Sequence, residues 1–464
     1  MTENYLESLA SYLWAMPLVL FIVGSGIYFV FSSRMVPYRF ISHTFSILKG
    51  DWDNPNHRGY LPHFQALSTA LSGTLGLGNV AGVAIAIKMG GPGAIFWMWV
   101  TALVGTATKF YTASLAVMYR GKNNLGETQA GPMYVILEGL GQSWRPLAVL
   151  FCSAGLVGTL PAFQANQLVQ IVREAIAIPF GWTTTAHHFF FDLILGTIIA
   201  FLIYSVIVGD IKRVGAVAAR MVPGMVLLYL GMTVYLLAIN PNSITGSFWL
   251  IFNDAFSGDS VAGGTLGAVI IMGVRRGTFS NEAGIGTESM AHGAAKTDEP
   301  IREGLVAMLG PIIDTLLVCT CTALAILSTG VFLTTDSDGV SLTAMAFASV
   351  MPNAGLYLFT IVVTFLSMST IISYWYYGSV CWSFLMSAEN KEYFTYIYIA
   401  LIPIGAVASL NLVLSLVDSM FALMAIPTTL SALLLSPKVN RAAREYFRKI
   451  NGNAKQDFVR EEVP

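Results

Sequence analysis

Long apolar runs separated by short polar stretches set the pattern of this chain. Runs of eighteen or more apolar residues are the signature of bilayer-spanning helices, and the pattern predicts eleven of them. The first lies at about 12–31. Five follow at about 64–89, 93–119, 146–172, 189–208 and 214–238, and five more at about 261–292, 303–330, 353–386, 394–411 and 415–435. Two shorter apolar segments, 246–258 and 341–351, read as interfacial or re-entrant helices. The opening "MTENYLESLA" carries Glu3 and Glu7 but no basic residue, a poor start for a signal peptide, so 12–31 is expected to be a retained span.

The second run is built on weak helix formers. Glycine inside a helix costs about 0.5–1 kcal/mol relative to alanine, yet "STALSGTLGLGNVAG" places Gly73, Gly76, Gly78 and Gly82 in one span. Comparing the chain with itself sharpens the point. Asn79-x-Ala81-Gly82 is repeated 202 residues later as Asn281-x-Ala283-Gly284, flanked by Arg275, Arg276 and Glu282. Each copy lies in the first span of a five-span block, and the odd number of crossings between them inverts one block relative to the other. Glycine in membrane helices can simply permit close packing. A matched pair of interruptions in two inverted halves instead points to broken helices around a transporter binding site. Unwound backbone is tolerated in a bilayer only where it is buried or lines a watery cavity. The pattern therefore predicts an all-α polytopic membrane protein with two broken helices. Its expected divisions are an N-terminal helix and loop (1–63), a first repeat (64–238), an outer linker (239–260), an inverted second repeat (261–435) and a tail (436–464).

Composition agrees with a lipid solvent. The chain is 55% hydrophobic and 11% charged, against about 25% charged in a soluble domain, and its mean hydropathy is +0.66. The net charge of −1 points to no nucleic-acid partner. Lysine and arginine in the loops predict orientation: one alternating set holds twenty and the other only Lys88 and Arg173. The N-terminus is thus expected outside and the C-terminus in the cytoplasm of a cell membrane. The four cysteines all fall in apolar spans, where small-residue packing is the simplest role. Lys88 and Lys109 are expected to snorkel toward an interface. Glu282 is expected to answer Arg275 or Arg276, charges being costly at that depth unless paired. Asp314 and Asp418 read as structural partners or gates. Asn79 and Asn281 either brace the breaks, touch ligand, or make ordinary interhelical hydrogen bonds.

Four long segments carry a likeness to a known family. "GGPGAIFWMWVTALVG" (90–105), "RRGTFSNEAGIG" (275–286), "AHGAAKTDEPIREGLVAMLGPIIDT" (291–315) and "STIISYWYYG" (369–378) resemble motifs of the alanine or glycine:cation symporter family, in order over about 60–440. The resemblance implies sodium-coupled uptake of small neutral amino acids on the leucine-transporter-type inverted-repeat fold, with one extra N-terminal span. "GLGN" also resembles the unwound first core helix of that fold. By that likeness the backbone N–H groups of Leu77 and Gly78 would meet the substrate carboxylate. Carbonyls near the second break, around Gly277, Thr278, Phe279 and Ser280, would meet its ammonium. Thr74, Asn79, Asn281, Phe163, Gln164 and Tyr374 would border the pocket. The carbonyls of Ser72, Leu75 and Leu366 and the hydroxyls of Ser369 and Thr370 would hold a sodium ion. Five oxygens of little formal charge suit a monovalent hard cation, whereas calcium sites lean on carboxylates. The competing role for Ser369 and Thr370 is back-bonding to their own helix.

The chain departs from the family pattern at Thr278, where an aliphatic residue is common, and at Glu288, an added intramembrane carboxylate. Thr278 bears on substrate choice, and Glu288 bears on protons. The expected function is a secondary symporter for alanine and glycine, with serine next, using sodium as coupling ion and no cofactor. The alternative is a proton-coupled or glutamine-type symporter of the same fold. No nucleophile–base pair or metal set at matched depth suggests an enzyme, and no filter repeat suggests a channel.

Overall fold

A computed structural model describes residues 2–54, 56–208, 210–257 and 265–461, with side chains among residues 3–450 of these. Residues 258–264, at the expected join of outer linker and second repeat, and 462–464 of the expected tail lie outside the described residues. The described chain is almost wholly helical, with one two-stranded antiparallel ribbon pairing Gly121–Lys122 with Thr128–Gln129.

Within the described residues, every expected apolar segment coincides with a helix or a run of adjoining helices. Among the described residues, six helices are by themselves long and apolar enough to cross a membrane, or up to eight spans if two bent pairs are each counted once. The others fall short for physical reasons. Lys391–Val407 has 17 residues, and Leu266–Asn281 has 16 and carries two arginines. Ala94–Met118 is diluted by Lys109 and by threonines that bond back to their own helix. The two shorter segments form Pro241–Phe256 and Gly339–Val350. A further helix, Thr2–Leu13, precedes the first expected span, turns by 44° into Met16–Ser32, and packs on Leu410–Glu461.

Burial sorts the helices into two classes. Phe189–Ile207 exposes Phe190, Ile194 and Phe201, as expected of an apolar surface meant for lipid. His63–Thr74 and the central part of Gly355–Leu385 are buried nearly all round, which marks them as the inside of the bundle. These two pack on each other, and the first also packs on Asp210–Ile239 and Thr287–Gly293.

Both expected interruptions are present. His63–Thr74 makes a last helical bond from Leu75 N to Leu71 O at 2.6 Å. Extended backbone at Gly76 and a single tight turn, Leu77–Asn79, follow before the chain resumes as Ala81–Gly90, the pair being bent by 58°. The second interruption separates Leu266–Asn281 from Thr287–Gly293. Glu282, Gly284 and Gly286 adopt φ of 55°, 86° and 96° there, a left-handed region that glycine enters freely and other residues enter at a cost.

Candidate functional site

The first break lies against Gly355–Leu385. The Thr370 hydroxyl donates to Ser72 O at 2.9 Å and to Leu366 O of its own helix at 3.0 Å, and the Ser369 hydroxyl also donates to Leu366 O at 3.0 Å. Both residues therefore bond back along their helix, and Thr370 reaches across to the break as well. Gly76 explains how the two elements come so close: a Cβ added there would lie 2.5 Å from Thr370 Oγ1, so the Leu75–Gly76 peptide sits directly beside that hydroxyl. Ser72, Leu75, Leu366, Ser369 and Thr370 are each at most 2% exposed. The sequence reading missed Ser373, one turn beyond Ser369. Its hydroxyl pairs with that of Ser72 and donates to Thr69 O at 3.2 Å. A serine four residues after Ser369 was the available signal.

The residues expected to border a substrate divide into those the structure gathers and those it turns away. Leu77 N–H, expected to face a carboxylate, donates to Gln164 Oε1 at 3.1 Å. Gln164 thus already serves as the oxygen partner of the first break. Gly78 packs against Phe279 and Ser280, and Phe279 meets Phe163 edge-on with centroids 5.4 Å apart. Phe279 is therefore the ring that stands between the two breaks. Gly277 faces Met98 and Thr101 of Ala94–Met118 instead, and the Ser280 hydroxyl bonds with Cys319 Sγ at 3.1 Å and Thr315 at 3.4 Å. Thr278 is fully buried and its hydroxyl has no partner among the described residues. Thr74 ends its helix, its hydroxyl making a long 3.5 Å bond to Leu71 O and its carbonyl accepting Gly76 N–H at 2.8 Å.

The second break falls later than expected. Residues 277–280 are still helical, and Thr278 O accepts Glu282 N–H at 2.9 Å, so the unwound backbone is 282–286. The carbonyls that a helix leaves over are those of its last turn, here 279–281. The helix runs on because no helix breaker precedes Gly284 after Gly277.

The two asparagines of the repeated motif brace the two breaks. Asn79 Nδ2 donates to Asp314 O at 2.9 Å, and Asn79 O accepts the Thr322 hydroxyl at 2.7 Å. Asn281 Oδ1 accepts Ala283 N–H at 2.9 Å.

The charges pair differently from expectation. Glu282 does not answer Arg275 or Arg276. Its carboxylate accepts from the Tyr374 hydroxyl at 2.6 Å and from Thr287. Both arginines instead grip Asp418, Arg275 through Nε at 2.9 Å and Nη2 at 2.6 Å. The arginines project back from the break toward Leu410–Glu461, whereas Glu282, at left-handed φ, is turned to the opposite neighbour. Lys109 does not snorkel: it is 1% exposed. Lys88 does reach an end, donating to Thr335 O at 2.6 Å. Glu288 is buried, accepting from Thr112 at 3.0 Å.

A second polar cluster joins the far ends of both broken helices. Glu303 is hydrogen-bonded to His63 and, at 2.7 Å, to His292. Beside it Leu61 and Ala295 form a bridge, and Arg120 donates to the carbonyls of Gly293, Ala295 and Thr297. Nothing in local spacing could have announced this clamp, whose partners lie up to 240 residues apart.

Comparison with known proteins fits this geometry. Residues 1–460 match the sodium:alanine symporter family. The chain is 37% identical over 440 residues to the sodium/alanine symporter AgcS of Methanococcus maripaludis, covering 93% of this chain and 94% of that one. It is 33% identical over 439 residues to the probable sodium/glutamine symporter GlnT of Bacillus subtilis, covering 94% and 89%. Among solved structures, that of MhsT in complex with L-phenylalanine aligns with a TM-score of 0.60 at 12% identity, over 82% of this chain and 90% of that one. At that identity the likeness is one of fold, the leucine-transporter-type fold.

Proposed function

Because the chain belongs to the sodium:alanine symporter family, a family of amino-acid transporters, we propose that it couples inward sodium movement to uptake of small neutral amino acids by alternating access. In this reading eleven spans form one N-terminal helix and a five-plus-five inverted repeat, with the N-terminus outside and the C-terminus in the cytoplasm. Alanine and glycine are the favoured substrates, with serine next.

The observation that carries the reading is the meeting of Ser72 O, Leu366 O and the Ser369 and Thr370 hydroxyls beside the first break. These are uncharged oxygens on two elements, one of them interrupted. A sodium ion seated there would replace the hydroxyl-to-carbonyl bonds and tie the broken helix to Gly355–Leu385. The substrate carboxylate would take the N–H groups of Leu77 and Gly78, exchanging with Gln164. Its ammonium would meet the leftover carbonyls at 279–281. Backbone groups recognise the charged ends of any amino acid, so choice among side chains falls to Phe163, Phe279, Thr278 and Tyr374.

The test is uptake of labelled alanine, glycine, serine and glutamine into proteoliposomes, with sodium and pH gradients imposed separately. Uptake driven by sodium at equal pH supports the reading. Uptake driven by pH alone supports the proton-coupled alternative, which rests on the buried Glu288 and its Oε2, which has no partner among the described residues.

A further inference from the structure

Lys109 has no role in the site so far described, yet it is among the largest fully buried side chains of the protein. It lies on the face of Ala94–Met118 that runs along the second break. One turn before it, Gly105 abuts Ala283 and Asn281. Three residues after it, Thr112 donates to Glu288 at 3.0 Å. Positions four and three apart share a helix face, so Lys109 is aimed at the same region. Its ammonium fits against Gly310, where a Cβ would stand 2.9 Å from Nζ. A side chain at 310 would displace the ammonium, and glycine admits it.

A buried ammonium is costly unless opposite charge is near. Gly310, on which the Lys109 ammonium rests, stands four residues before Asp314, and Gly105, one turn before Lys109, abuts Asn281, the neighbour of Glu282, so these two carboxylates are the acids of its surroundings. Glu282 has both oxygens engaged, by Tyr374 and Thr287. Asp314 has one oxygen on Thr315 and leaves Oδ2 without a partner, and Asn79 Oδ1 is likewise buried and unpartnered. Asn79 also donates to the Asp314 carbonyl at 2.9 Å. A carboxylate and an amide oxygen between the two breaks are the groups a monovalent cation would seek, and a fixed positive charge is buried in the same region, against Gly310.

On the reading of the protein as a sodium symporter, we propose that the Lys109 ammonium stands in for a second coupling cation, so that a single sodium ion accompanies each amino acid. Two mobile cations close to a fixed ammonium would repel it and each other. One sodium at the first break, with Lys109 at the second, compensates both breaks. The zwitterionic substrate adds no net charge, so each transported alanine carries one charge inward.

The experiment measures charge moved per alanine in proteoliposomes, from the membrane potential at which sodium-driven alanine flux reverses. Wild type is expected to give one charge. Lys109→Ala removes the fixed charge and leaves room, so Asp314 and Glu282 recruit a cation from solution and the ratio rises to two. A wild-type ratio of two overturns the inference, as does a ratio of one in both proteins. If Lys109→Ala does not reach the membrane, the wild-type ratio decides alone. Absence of any sodium-driven alanine flux in wild type would defeat the symport reading itself, whereas intact flux at two charges would defeat only the role of Lys109.

Discussion

The two broken helices share Asn-x-Ala-Gly but break by different means. In the first, Gly76 and Gly78 matter because neighbours come close: a Cβ would lie 2.5 Å from Thr370 Oγ1 at the one and 3.0 Å from Phe279 at the other. No charged residue occurs from 64 to 87, and the break meets its neighbours through carbonyls and hydroxyls. In the second, the chain turns through left-handed residues, and Arg275, Arg276, Glu282 and Glu288 crowd around it. The difference follows from what each must do. On the proposed reading the first break binds and releases a cation, and such a site in a low-dielectric interior is best made of dipoles, because its empty form then buries no bare charge. A site whose charges are permanent must carry its compensation within the protein, as Asp418 does for the arginines.

That contrast can be broken most forcefully at Asp418. Asp418→Asn leaves the buried Arg276 and the partly exposed Arg275 without their anion, and removing one partner of a buried pair costs about 3–5 kcal/mol. Thermal unfolding of the purified protein should show a large loss of stability. An unchanged melting temperature would mean that the arginines are compensated elsewhere.

The first break should respond in the opposite sense, through ion affinity. Ser369→Ala with Thr370→Ala removes the two hydroxyls proposed as ligands, each expected to be worth roughly 1–2 kcal/mol. The sodium concentration for half-maximal uptake should rise about tenfold or more, with little change in thermal stability. Unchanged sodium dependence would remove these residues from the ion site.

The matched glycines of the repeated motif give a more delicate comparison. Gly82 lies in a helix with nothing within 4 Å of where a Cβ would stand, whereas Gly284 has φ of 86°. Gly82→Ala should be neutral or stabilising by about 0.5–1 kcal/mol. Gly284→Ala should destabilise by about 1–2 kcal/mol. Equal effects in chemical or thermal unfolding would show that the two breaks are held alike after all.

The smallest effect is expected at Thr278, whose buried hydroxyl lacks a partner among the described residues. Thr278→Ile should shift preference from serine toward alanine by about 1 kcal/mol, the modest scale on which such pockets discriminate. Competition uptake with both proteins side by side checks it. Identical rankings would make Thr278 a packing residue between helices.

Much of this protein could be read without coordinates. Apolar run length located the apolar helices, because a helix must satisfy its own backbone across the bilayer whatever surrounds it. Glycine spacing and the repeated asparagine located both interruptions, though the second came out several residues early, since left-handed residues rather than a cluster of weak helix formers end that helix. The ion site at 366–370 was implied by the likeness to the leucine-transporter-type fold, and its uncharged oxygens are of the kind that suits a monovalent cation. What the sequence could not decide was partnership. Glu282 goes to Tyr374, the arginines to Asp418, Glu303 to two histidines, and Lys109 inward instead of to an interface. Helix and loop signals are local, repeating every few residues. Which helix faces which depends on packing between segments hundreds of residues apart, and an apolar face reads the same whether it meets lipid or protein. Only the assembled bundle decides where each buried charge finds its counter-charge.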